Sequence, residues 1–166
     1  KKYQRDIGYS LLNGLLTGDE LSKAARMLKM KDTAQYCVVS FHTISSNSED
    51  YYTKEELEEI GVIEGEIQRL LPDEHIYRNL NQIVCIHEIK PGETQAGFRE
   101  EMEKLYQTVQ KQIFHRNKTT DFQIGIGSIV NGYGDLKKSF KDSKKIIDYM
   151  DMLRYLYGDK NISVAD

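Results

Sequence analysis

Cys85 and His87 stand two apart in an apolar run, the spacing that puts a thiol and an imidazole on one face of a β-strand, and His42 lies in another such run. Together they would supply three ligands of a zinc-type site. No fourth ligand and no local Cys/His cluster accompany them, so buried cysteines and edge-exposed histidines are the favoured reading. Cys37 and Cys85 fail as nucleophiles for a related reason: no histidine lies at a motif distance, and an apolar strand disfavours a thiolate. Gly125-Ile-Gly127-Ser-Ile-Val-Asn-Gly132-Tyr-Gly134, ahead of a helical pattern, invites a phosphate-loop reading, because glycine amides at a helix start bind anions. Gly127 and Gly132 have the P-loop spacing, but Tyr133 stands where a lysine is needed, and Val130 occupies the place of the third glycine of a dinucleotide fingerprint. Close packing of a strand on a helix, followed by a turn, explains the glycines better. Lys137, Lys138, Lys141, Lys144 and Lys145 crowd the helix that follows, as in basic helices that touch nucleic acid or acidic partners. Asp142, Asp148 and Asp151 interrupt them, while Leu136, Phe140, Ile147 and Met150 give the opposite face a core, so a solvated face is expected.

The bulk properties narrow the choices. A chain of 166 residues is the size of one domain and buries a core without staples. Lys+Arg 23 against Asp+Glu 26 gives a formal charge of -3, which supplies no overall basic field for nucleic acid or an anionic membrane. No apolar run approaches the roughly 20 residues that cross a bilayer, and the start, Lys1-Lys-Tyr-Gln-Arg-Asp, has no signal-peptide pattern. Two cysteines in apolar runs suit free thiols in a reducing cytoplasm, so a cytoplasmic location is expected. The chain begins at Lys1 without Met and is expected to be part of something longer. Asn117-Lys-Thr119 and Asn161-Ile-Ser163 match a glycosylation pattern by chance, and Glu55, Glu56, Glu58 and Glu59 fit the preference of carboxylates for a helix N-terminus.

These residues must be positioned by an orderly alternation of elements. Residues 3–16 place Ile7, Leu11, Leu12, Leu15 and Leu16 on one helical face, with Gly18 as the stop, and a second helix is expected over 19–30. Residues 36–44 read as the first strand. Thr53 and Glu56 form a capping box ahead of a helix carrying Leu57, Ile60, Ile63, Ile67, Leu70 and Leu71. Strands over 75–78 and 82–89 form a hairpin about Asn79-Leu80-Asn81. Phe98, Met102, Leu105, Val109 and Ile113 mark the longest helix, followed by a strand at 122–126, a helix at 135–153 and a strand at 162–164. The fold class expected is α+β: a ferredoxin-like βαββαβ core of the nucleotide-cyclase type, with a C-terminal αβ extension and two N-terminal helices. The division expected is a helical lead-in over 1–34, for linkage or dimerisation, and a domain over 35–166.

Ile124-Gly-Ile-Gly-Ser128 and the closing helix Asp135-Leu-x-x-Ser-Phe-x-Asp-Ser143 resemble the end of a degenerate GGDEF-type, or diguanylate-cyclase-like, domain. Leu11-Leu-Asn-Gly-Leu-Leu-Thr-Gly18 resembles the helix that precedes such domains in bacterial AraC-type response regulators and in sugar-diacid and purine-catabolism regulators. In an active cyclase, carboxylates on the first strand and at the hairpin tip hold two metal ions. Ser40 and His42 stand in place of the strand acid, and the hairpin reads Arg78-Asn-Leu-Asn-Gln-Ile83, without the glycines or the acids. The Arg-x-x-Asp of the product-binding site is also missing from residues 73–78. The resemblance therefore implies no catalysis, no metal and no cofactor, and a vestigial cleft at Ser40, His42, Asn79 and Asn81. It implies a homodimer relaying a signal from an upstream sensor or receiver to a DNA-binding helix-turn-helix module, through the helix bearing Ile7, Leu11, Leu12, Leu15 and Leu16. No direct contact of this segment with nucleic acid or membrane is expected. The alternatives are a small-ligand sensor (nucleotide or metabolite) using the cleft and, less favoured, an active nucleotidyl cyclase.

Overall fold

Gln35–Ile44, the strand β1, has a buried residue at almost every position because both of its faces are covered. Cys37, Val39 and Phe41 meet one layer of helices, whereas Tyr36 and Val38 meet the other. A computed structural model describes residues 2–44, 53–79, 82–115, 121–158 and 163–166. In chain order these form α1 (Lys2–Leu12), α2 (Gly18–Met27), β1, α3 (Lys54–Leu70), β2 (His75–Asn79), β3 (Gln82–Glu88), α4 (Gln95–His115), β4 (Asp121–Ile126), β5 (Val130–Asn131), α5 (Leu136–Tyr157) and β6 (Val164–Ala165). The sheet runs β2-β3-β1-β4-β6, with β5 paired to the start of β1. All pairs are antiparallel except β4 with β6. The chain is thus a mixed α/β protein, with one mixed sheet between helical layers. Helices α3 and α4 cover one face through Ile63, Ile67, Phe98, Met102 and Val109. Helices α1, α2 and α5 cover the other through Leu11, Leu12, Ala25, Leu28, Leu136 and Phe140.

Several boundaries differ from the sequence expectation. The first helix ends at Leu12 rather than continuing to residue 16. Gly14 has φ +65, its N–H donates to Leu11 O, and the Leu15 N–H donates to Ser10 O, a Schellman closure that the leucine periodicity had masked. Gly18 opens α2 instead of stopping α1. β5 was not anticipated, because two residues carry no readable period. Helix α5 runs past residue 153 to Tyr157. The expected cap of α3 is present, with Thr53 Oγ1 accepting from the Glu56 N–H at 3.1 Å. The hairpin turn at Leu80 and Asn81 and the segment from Ser45 to Tyr52 lie outside the described residues.

Candidate functional site

Directly opposite residues on neighbouring strands share a face. Asn79 pairs with Gln82, Gln82 with His42, and His42 with Gln123, so one polar row crosses β2, β3, β1 and β4 at the hairpin end of the sheet. The row grades from exposed Asn79 to Gln123, which is 3% exposed. The Gln123 Oε1 has no hydrogen-bond partner among the described residues. Helix α5 overhangs this row. His42 and Gln82 join Lys141, Lys144, Lys145, Ile147 and Asp148 around a cavity of about 400 Å³. Three ammonium groups against one carboxylate give it a positive field suited to an anion. Lys144 Nζ also lies 4.1 Å from the centre of the Phe140 ring, a cation–π contact that helps orient it.

The overhang exists because α5 comes unusually close to the sheet. A Cβ on Gly125 would stand 2.6 Å from Ser143 O, and one on Gly127 would collide with Ser139 O. Serines fill the gap that larger residues would force open. Ser139 Oγ accepts from the Val38 N–H at 2.7 Å and donates to Ser128 O at 2.6 Å. Ser143 Oγ donates to Phe140 O, so its 2.7 Å contact with Ser40 Oγ is one in which Ser40 donates. The Gly127 N–H donates to Val38 O and the Gly132 N–H to Ala34 O, which commits these amides to the sheet rather than to a phosphate.

Of the cleft residues named from sequence, the structure brings His42 to the cavity and leaves Asn79 exposed at the far end of the same row. Ser40 is fully buried in the serine contact with α5 and does not line the cavity. Asn81 lies outside the described residues. Gln82 and the α5 lysines were missed as site residues. Their signal was the recurrence of polar residues at 141, 144, 145 and 148, one helical stripe that reads equally well as solvated surface. Leu11 and Leu12 are buried against the chain's own sheet and α5, with Ile7 and Leu16 partly buried beside them. Leu15 is 72% exposed because the helix has already ended.

His87 is not edge-exposed, as the sequence had suggested, but buried at 4% exposure. Its ring stacks on Phe98 with centroids 4.2 Å apart, and it faces Cys37 across the strand pair. That is the α3/α4 face, whereas His42 lies beneath α5, so Cys85, His87 and His42 do not converge. Among the described residues, no group of three His, Cys, Asp or Glu side chains is arranged to hold a metal ion. Burial pushes the Cys37 thiol up to about 12, with the Glu74 and Glu93 charges adding to it. Cys85 is raised as well, by burial first, then by the charge of Glu74 and by Cys37. Both thiols are free and protonated at neutral pH.

A sequence profile of the GGDEF-like domain matches residues 13–149, from the turn after α1 to the middle of α5. The chain belongs to the GGDEF-like domain family. A search of curated proteins finds no match. In this GGDEF-like domain the matched span takes in β1 to β5 and every residue lining the cavity. Helix α1 and the last turns of α5 fall outside it. None of the helices among the described residues is long and apolar enough to cross a membrane.

Proposed function

We propose that this GGDEF-like domain is a non-catalytic regulatory and oligomerisation module of a bacterial transcription regulator of the AraC or sugar-diacid type, relaying a signal to a DNA-binding module elsewhere in its parent chain. The observation that carries the reading is the chemistry at the cyclase positions. Ser40 and His42 stand where a metal-binding acid is required, and Ser40 is turned into a hydrogen bond with Ser143 under α5. Asn79 and Gln82, flanking the hairpin turn, carry no charge to hold a cation and its phosphates. The strand order β2-β3-β1-β4, with α3 and α4 on one face, supports a ferredoxin-like core.

Relay in this proposal runs through packing. Leu11 and Leu12 fasten α1 to the sheet, so a displacement arriving at α1 moves β1 and α5 with it. Pairing of two copies then needs a surface other than those leucines. Tyr149, Met152 and Leu156 are exposed at the i, i+3, i+7 spacing of a two-helix seam. Native mass spectrometry is expected to give a ligand-free dimer that Leu156→Asp converts to a folded monomer. A wild-type monomer carrying a metabolite would overturn the reading.

The cavity favours a second reading, a sensor for a small anionic ligand such as a nucleotide. Under it, a nucleoside triphosphate offered without divalent metal binds in calorimetry, and Lys141→Glu with Lys145→Glu weakens that binding by at least about tenfold, the factor that about 1.4 kcal/mol represents. Absence of binding by the wild type removes the sensor and leaves the relay standing.

A further inference from the structure

At the end of the domain away from the cavity, His87 sits between two carboxylates that arrive from different turns. Its Nδ1 lies 2.5 Å from Glu74 Oε1, in the turn between α3 and β2. Its Nε2 lies 2.8 Å from Glu93 Oε2 and 3.0 Å from Oε1, in the turn between β3 and α4. A neutral imidazole carries one N–H and one lone pair, so it can satisfy only one of these acceptors. Two carboxylates on opposite nitrogens require a ring with both hydrogens. We propose that Glu74, His87 and Glu93 form a proton-held clasp that fastens the two turns to the sheet, closed when the ring carries both hydrogens and loosened when it gives one up.

The surroundings fit that role. The titratable groups facing the ring are Glu74, Glu93, Cys37 across the strand pair and Cys85 on the same strand face, while α4 presents the Phe98 ring. Burial alone favours the neutral ring, but the hydrogen bond and charge of Glu74, then those of Glu93, outweigh it and the net shift is upward. Because the folded value lies above the ordinary 6.5, the stabilisation is complete below pH 6.5 and is lost as pH rises through the folded value. The two turns differ in what remains after deprotonation. Glu93 also accepts from the Lys90 N–H at 2.8 Å, so its turn stays stapled. Among the described residues the Glu74 carboxylate bonds only to His87, and its turn, otherwise closed by the Glu74 N–H to Leu71 O bond at 3.3 Å, is the one that opens.

The test is a proton NMR titration of the His87 ring in the whole chain, with amide hydrogen exchange of residues 71–75 and 90–94 across the same pH range. The expected midpoint lies above 6.5 and falls in both Glu74→Gln and Glu93→Gln. Exchange at 71–75, corrected for its intrinsic pH dependence, is expected to rise about tenfold above the midpoint, as loss of one charge-assisted hydrogen bond implies, while 90–94 changes less. A midpoint at or below 6.5, or exchange at 71–75 that does not follow the titration, overturns the proposal. The wild-type measurements decide it even if a variant does not fold.

Discussion

Leu12→Asp is expected to abolish the cooperative unfolding transition of this domain. Leu12 has no exposed surface and packs in the cluster with Tyr36, Val38, Leu136 and Phe140. Truncation of such a leucine to alanine costs about 2–5 kcal/mol. An ionised carboxylate in the same place adds several kcal/mol more, because it gives up its hydration among the buried side chains of that cluster. A domain of this size has about 5–15 kcal/mol of stability to lose. Leu15→Asp is the contrasting substitution: its side chain is 72% exposed beyond the end of α1, and its effect should stay within about 0.5 kcal/mol. Circular dichroism melts of the two variants separate the outcomes. A Leu12→Asp protein melting within a few degrees of wild type would mean that α1 is not part of the folded core, and would return its leucines to the role of a pairing face.

The second large effect belongs to Gly127. Its missing side chain is what lets α5 lie on β4, because a Cβ there would collide with Ser139 O and stand 2.7 Å from Ser139 Oγ. The clash is with backbone, which cannot rotate away. Gly127→Ala must lift α5 from the sheet, straining the bonds from Val38 N–H to Ser139 Oγ and from Ser139 to Ser128 O. Overpacking typically costs about 1–3 kcal/mol, and each lost hydrogen bond adds about 1 kcal/mol, so a total near 4 kcal/mol is expected in urea unfolding. Gly125→Ala meets Ser143 O at 2.6 Å and should follow the same course. Gly65→Ala, on an exposed turn of α3 with nothing within 4 Å of the added carbon, should instead stabilise by about 0.5–1 kcal/mol. If Gly127→Ala and Gly65→Ala proved equally neutral, α5 would not approach β4 as closely as described, and the cavity beneath it would have a different shape.

That contrast shows where sequence reading reaches. Two glycines in an apolar strand announced a close approach, and the helix they admit was visible in its own apolar stripe, yet the partners, Ser139 and Ser143, were not. A helix shows which of its faces is apolar without showing which strand that face meets. The α5 lysines illustrate the same gap. Their stripe is polar on any reading, and only the position of α5 over His42 and Gln82 turns part of it into the wall of a cavity.

What the sequence determined by itself was local. It set strands β1 to β4, the long helices and the α4 face of Phe98, Met102, Leu105, Val109 and Ile113, all buried as their spacing required. It also set the absence of acids from the hairpin and from Ser40 and His42. Each of these depends on periods of two or 3.6 residues, or on residue identity, which a linear string carries in full. Only the tertiary structure decided that Leu11 and Leu12 close their own sheet, that Ser40 is bonded to a helix 103 residues away, and that His87 lies between Glu74 and Glu93. Those contacts join residues from turns and crossing elements, and their distances are fixed by how whole helices pack on the sheet rather than by any local period.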